Sequence, residues 1–164
     1  MSFNLVVDAN MVLAALRGVR TRKRLMRLQG ADVTLFLAEP MRQEVEEHLP
    51  RLIVRKLTAQ GFGPEDIELG LASGQQLWKN LQTAFVILGE ETYGSLEQMA
   101  RRRVPHDPDD WPCVALALAL GASLLTDNVR HLGRSGIGVW DSSTVDVLID
   151  ELEDALEQRK AEKI

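Results

Sequence analysis

The apolar positions of this chain fall into two textures that alternate along it. The first is a set of short, nearly continuous apolar runs: "FNLVVDA" (3–9), "VTLFLA" (33–38), "TAFVIL" (83–88), "SLLTD" (123–127) and "IGVWD" (137–141). Runs of this length, rich in β-branched residues and lacking polar alternation, read as strands buried on both faces. The second texture is longer and carries helical spacing. "ANMVLAALRG" closes at Gly18, and "TRKRLMRLQG" has Thr21 as an N-cap and Gly30 as a terminator. Pro40 opens "PMRQEVEEHLPRLIVRKLTAQG", which is expected to break or bend near Pro50, and "GPEDIELGLASGQQLWKNLQ" is weakened by Gly70 and Gly74. "YGSLEQMARRR", the almost wholly apolar "WPCVALALALG" and an amphipathic segment from about Ser142 complete the helices. Strands alternating with helices predict an α/β fold, a three-layer α/β/α sandwich around a mostly parallel sheet of four or five strands. No repeat or Pro/Gly-rich linker divides residues 1–164. One domain is expected, with a core at about 3–141 and a C-terminal helix at about 142–160.

Composition narrows the class. With 164 residues, 45% hydrophobic and 26% charged, the chain suits one globular core. No apolar run approaches the ~18 residues of a membrane span, and the strand-like opening "MSFNLVVDAN" predicts no secretory leader. The single Cys113 excludes an intramolecular disulfide, fits a reducing cytoplasm, and lies in the apolar helix as a small core residue. A net charge of −5 argues against indiscriminate nucleic-acid binding. The cations are nevertheless concentrated: Arg17, Arg20, Arg22, Lys23, Arg24 and Arg27 in one segment, Arg101, Arg102 and Arg103 in another. Such patches either hold a phosphate backbone or form solvated helix faces, and charge alone does not choose.

The acids are more informative. Asp8 ends the first strand and Asp127 the fourth, and parallel sheets gather their chemistry at the carboxyl ends of the strands. "HDPDDWP" places Asp107, Asp109 and Asp110 before the apolar helix, with Asp110 at its start. Helix capping explains any one of these acids; it does not explain several meeting at one rim. The helix after Pro40 adds a further carboxylate. Its apolar stripe is Met41, Val45, Leu49, Leu52 and Ile53. Glu47 lies about 170° from the centre of that stripe, with Glu44 and Glu46 flanking it at roughly 110° and 90°. Periodicity therefore excludes Glu47 and leaves Glu44 and Glu46 open. Two carboxylates ~4 Å apart repel by about 4 kcal/mol at an effective dielectric of 20, so a cluster must raise its pKa values or take a cation. Oxygen-only donors select Mg²⁺ or Mn²⁺. His48, His106 and His131 are scattered, read as surface or supporting residues, and suggest no zinc cluster.

Three ordered blocks, "VVDANMVLAAL", "LAEPMRQEVEEHL" and "DPDDWPCVALALALGASLLTDNVRHL", resemble the PIN domain, the fold of VapC-type toxin ribonucleases and related metal-dependent nucleases. The likeness runs from residue 5 to about residue 133, and the third block is the most specific. It implies Asp8, Asp110 and Asp127 as metal ligands and Glu44, rather than Glu46, as a further catalytic acid. Asn10, Thr126, Asn128 and Asp109 become supporting residues, while Asp107 is left as solvated loop. One departure stands out. The family's acid commonly sits two places after the threonine, where this chain has Asn128; either Asp127 reaches the metal by a local shift, or Asn128 occupies the position as a weaker ligand. The implied activity is Mg²⁺- or Mn²⁺-dependent endoribonuclease cleavage by activated water, without a covalent enzyme intermediate. RNA contacts would come from Arg17, Arg20, Arg22, Lys23, Arg24 and Arg101 to Arg103. Homodimerisation and restraint by a small antitoxin protein are implied as well, although the extra helical length around 60–83 means that a toxin role does not follow from the resemblance. The displaced fourth acid keeps open a second reading, a non-catalytic RNA- or protein-binding PIN-like domain. A phosphotransfer domain fits less well: a dehalogenase-like phosphatase needs an aspartate where Asn10 stands, and a receiver needs an acidic pair near its first strand.

Overall fold

The short apolar runs form a five-stranded, all-parallel sheet in the computed structural model, which describes residues 3–162. The strands are β1 (Phe3–Val7), β2 (Val33–Ala38), β3 (Phe85–Leu88), β4 (Ser123–Leu125) and β5 (Val139–Trp140), ordered β3-β2-β1-β4-β5. β2 matches its apolar run and the other four strands are shorter than theirs; β1, β2 and β5 stop directly before an acid, Asp8, Glu39 and Asp141 respectively. β1 pairs with β2 through Leu5↔Leu35 and with β4 through Val6↔Leu124. The chain moves outward from β1 to β2 and β3, then crosses back to β4 and β5. The reversal lies between β1 and β4, and such a switch point opens a crevice at the carboxyl end of a doubly wound sheet.

Nine helical segments cover the sheet among the described residues: α1 (Ala9–Arg17), α2 (Val19–Gly30), α3 (Glu39–Ala59), α4 (Pro64–Gln82), α5 (Glu90–Tyr93), α6 (Glu97–Arg103), α7 (Trp111–Leu120), α8 (Val129–Leu132) and α9 (Val145–Ala161). α7 packs on β1, β2 and β4 and carries α5 and α6 with it, while α1, α2, α3, α4 and α9 pack among themselves and onto β2 and β3. The result is the expected three layers. Leu5, Val6, Val7, Leu35, Leu37, Leu124 and Leu125 of the sheet, Val12 and Leu28 on one side and Val114 and Leu116 on the other belong to one buried cluster. No described helix is long and apolar enough to cross a membrane.

Four local expectations change. α2 begins at Val19 after Gly18, so Thr21 is not its N-cap. α3 runs through Pro50 without interruption; a proline removes one ladder bond, and the packing of α3 on α1, α4 and β2 outweighs it. Gly70 and Gly74, expected to weaken α4, lie within an unbroken helix. A Cβ on either would lie 2.4 and 2.2 Å from the side chains of Leu57 and Ile53 of α3, so both positions set the approach of the two helices. α9 starts at Val145 rather than Ser142, because Asp141 Oδ1 accepts the amides of Ser143 and Thr144 and folds the preceding residues into a turn. Gly121 closes α7 in the left-handed region (φ 59°), which turns the chain directly into β4.

Candidate metal centre

Asp8 follows β1 at the switch point and is only 2% exposed. Its amide bonds to the carbonyl of Leu125, which fixes it against the end of β4. The Thr126 hydroxyl, itself fully buried, donates to Asp8 Oδ2 at 2.8 Å and closes the gap between the two strands. Asp8 precedes α1 without a side-chain capping bond, although the first amides of that helix, Ala9 and Asn10, still act on its carboxylate. Burial pushes its pKa up, the Thr126 hydroxyl and the amide dipoles of Asn10 and Ala9 draw it partly back, and the charge of Asp107 raises it again. A carboxylate with these surroundings is held in place but poorly neutralised.

Asp110 arrives from the opposite layer, on the single 3-10 turn Pro108–Asp110 that leads into α7. It also lacks a side-chain capping bond. Its pKa is pushed up to about 7, first by burial and then by the charges of Asp8, Asp107, Glu44 and Asp109. Glu44, on the first turns of α3, is raised by burial and by Asp8, Asp107 and Asp109, with His48 at 3.7 Å as its one relieving neighbour. Glu46 turns away to pair with Arg42, so the choice that periodicity leaves open falls to Glu44 in space. Three elements from both helical layers therefore bring Asp8, Glu44 and Asp110 within electrostatic reach of one another. Cys113 lies beneath them, fully buried, and those same charges together with burial push its thiol far up, which makes it an inert core residue.

The fourth position differs from the expectation for Asp127. Asp127 is exposed, and its carboxylate accepts the amide and hydroxyl of Ser142, both at 2.8 Å. It ties the end of β4 to the turn before α9 instead of facing Asp110. The residue that faces Asp110 is Asn128, whose Nδ2 donates to Asp110 Oδ2 at 3.2 Å while its amide is held by the Thr126 hydroxyl at 2.9 Å. The cause is local: Thr126 Oγ1 joins Asp8 and the Asn128 amide, and that turn sends the intervening side chain outward. Asn10 is exposed on the first turn of α1, at a shallow hollow shared with Arg17 and His48. Asp109 is exposed.

Two residues that sequence reasoning set aside stand beside the cluster. Asp107, expected as solvated loop, is half-buried; its carboxylate, that of Asp110 and a ring nitrogen of His131 lie within 4.8 Å of one another. His131 Nδ1 is 3.7 Å from Asp107 Oδ2 and has no hydrogen-bond partner. The signal for His131 is weak in the sequence, because α8 is one turn long and too short to show a periodic face.

The basic residues divide. Arg24 is 8% exposed and grips Asp146 through two bonds of 2.9 and 2.6 Å, so it is a structural cation and not a surface contact for RNA. Arg27 pairs with Asp150 and Glu153. Arg22 reaches the carbonyl of Ala15, whereas Arg17, Arg20 and Lys23 are exposed and unpaired among the described residues. Arg101 pairs with Glu97 and stacks over Trp111 with its guanidinium 5.2 Å from the ring. Arg102 and Arg103 form no ion pair among the described residues; Arg103 donates to the carbonyl of Ser135 at 2.9 Å.

The donor set suits a hard divalent cation. Asp8, Glu44 and Asp110 present carboxylate oxygens with which no described Lys or Arg pairs, and Asp107, Asp110 and His131 hold donor atoms within 4.8 Å of one another. Asp8, Glu44 and Asp110 all carry pKa values raised by burial and mutual repulsion, the strain that a cation relieves.

A model of the PIN domain matches residues 6–150. No curated protein sequence matches the chain. Among solved structures, PAE2754 from Pyrobaculum aerophilum superposes with a TM-score of 0.61 at 16% identity, over 93% of this chain and 90% of that one. VapBC2 from Rickettsia felis, bound to a DNA fragment from their promoter, superposes with a TM-score of 0.59 at 12% identity, over 85% of this chain and 98% of that one. At such identities the structural likeness speaks for the fold, and the family is carried by the sequence match over most of the chain: this chain belongs to the PIN domain family.

Proposed function

We propose that this chain is a metal-dependent endoribonuclease that acts as one PIN-like unit. The observation that carries the reading is the uncompensated acid cluster, above all Asp110, raised to about 7 by burial and by four neighbouring carboxylates. Three carboxylates gathered at one partly buried rim would cost stability without return if they had no cation to hold. Asp8 and Asp110 would hold the metal, with Thr126 fixing the Asp8 carboxylate and Asn128 orienting that of Asp110. When bound, Mg²⁺ or Mn²⁺ supplies a Lewis acid that makes water nucleophilic near neutral pH and offsets phosphodiester charge. Glu44, whose pKa is raised, accepts the proton that the attacking water gives up. Asn128 in place of a fourth acid leaves the centre one negative charge short of the family pattern, which lowers its pull on the cation.

That same substitution favours a second reading, a non-catalytic RNA-binding module. The two separate in one experiment: a labelled single-stranded RNA incubated with Mg²⁺ or Mn²⁺. Cleavage that is lost with chelator and with Asp8→Asn supports the enzyme; binding without metal dependence and without cleavage supports the module. The likeness to VapBC2 supports a protein partner of antitoxin type. Homodimerisation and a cytoplasmic site of action complete the proposal.

A further inference from the structure

A hollow of about 360 Å³ opens between the end of α6 and α8, directly beside the acid cluster. Arg102, Arg103, Arg130 and Arg134 line it, and Asp107 and His131 form the wall it shares with Asp110. Four arginines thus share the hollow with one carboxylate. None of the four makes an ion pair among the described residues, in contrast to Arg24, Arg27, Arg42 and Arg101, which all do. The hollow has a fixed arm. Arg103 Nη1 donates to the carbonyl of Ser135, and Gly136 (φ 78°) passes so close that a Cβ there would lie 3.2 Å from that nitrogen. A bulkier residue at 136 would displace the guanidinium, so the backbone itself shapes the site. Unpaired arginines present several donors to a phosphate oxygen cage at little reorganisation cost. The volume falls within the range of small-ligand sites.

We infer that this hollow is a phosphate subsite that takes a neighbouring phosphate of the same RNA strand whose scissile phosphodiester lies at Asp8 and Asp110. The inference rests on the nuclease reading and extends it. It gives the strand a direction across the molecule, from the carboxylates over Asp107 and His131 to the four arginines, and it enlists Arg130 and Arg134, which no basic run in the sequence marks. The repulsive wall at Asp107 keeps a phosphate out of the acid cluster itself unless a cation is present, while the arginines hold the next one.

The test uses the full chain carrying Asp8→Asn, so that binding is measured without turnover. Fluorescence anisotropy follows a fluorescein-labelled 12-nucleotide single-stranded RNA of mixed sequence, in that parent and after adding Arg130→Gln with Arg134→Gln. The added pair is expected to weaken binding roughly tenfold near 0.1 M salt. It should also reduce the slope of log K against log salt by about 1.4, or about 0.7 per cation removed from a single strand. A charge-matched pair away from the hollow, Arg55→Gln with Arg159→Gln, should leave both quantities close to those of the parent. Equal loss in both pairs would mean diffuse charge and overturn the inference, as would unchanged RNA binding in the Arg130/Arg134 pair, which would point to an acidic protein segment as occupant. With the active chain, the same pair should raise KM for a long RNA and leave cleavage of a dinucleotide, which has a single phosphodiester, unaltered. If the active chain cleaves no RNA, the nuclease reading fails on its own, and the anisotropy result still decides the subsite.

Discussion

Two regions of this molecule are equally dense in charge and behave in opposite ways. Along the α2–α9 face, Arg24 and Arg27 meet Asp146, Asp150 and Glu153, and each cation finds a carboxylate at 2.6–2.9 Å. At the rim of the sheet, Asp8, Glu44 and Asp110 stand among one another, Asp107 and Asp109 with no described Lys or Arg to pair with them. The first arrangement lowers the pKa of Asp146 through its bonds to Arg24; the second raises Asp110 to about 7. Satisfied charges hold the fold together, whereas unsatisfied ones are tolerated at a cost to the fold, which the proposed cation would offset. Function lies with the imbalance.

The contrast breaks most sharply under mutation. Asp8→Asn and Asp110→Asn should each lower metal-dependent RNA cleavage by on the order of 10³-fold or more, because each would remove one of the two ligands of the proposed centre. Steady-state cleavage of a labelled RNA measures this, and activity within tenfold of the wild type would place the chemistry elsewhere. On the other face, Asp146→Ala strands the buried guanidinium of Arg24 and should destabilise the fold by about 2 kcal/mol. For a chain of this size that is a drop of roughly 4–8 °C in melting temperature, with cleavage at 25 °C retained.

The rim should respond in the opposite sense. A carboxyl whose folded pKa is raised binds its proton more tightly in the native state, so the cost of ionising it appears as pH climbs from the unfolded value near 3.8 toward 7. Without divalent ion, the wild type should therefore lose stability across that window. Asp110→Asn should flatten the loss and leave the variant on the order of 1–2 kcal/mol more stable at pH 8, after allowance for solvent screening. Denaturant unfolding in EDTA at pH 5 and pH 8 reads this directly; a destabilised Asp110→Asn would mean that the acid is already satisfied. The smallest effect belongs to Arg27→Gln, whose partners are exposed: its melting temperature should stay close to that of the wild type.

Much of this was legible in the residues. The five apolar runs became the five strands, because a strand buried on both faces has no polar alternation to confuse it. Asp8 and Asp110 stood out since each ends or begins a buried element, and Glu44 emerged from helical geometry down to a choice of two. What escaped was set by contacts rather than pattern. Asp127 and Asn128 are neighbours in sequence, and only the Thr126 hydroxyl, bonded at once to Asp8 and to the Asn128 amide, decides which side chain faces inward. Arg24 looked like part of an open basic patch because its partner lies 122 residues away. His131, Arg130 and Arg134 gather beside Asp107 through the one-turn α8, too short to carry a face of its own.

The central claim is that the rim acids await a divalent cation. Calorimetric titration of Mn²⁺ at pH 7.5 into the wild type and into Asp110→Asn tests it most directly. Saturable binding to the wild type, with proton release on the order of a fraction of one H⁺ per ion as Asp110 is driven to its carboxylate form, and with binding lost or strongly weakened in the variant, is the predicted result. Equal Mn²⁺ binding by both proteins, or none by the wild type, would contradict it.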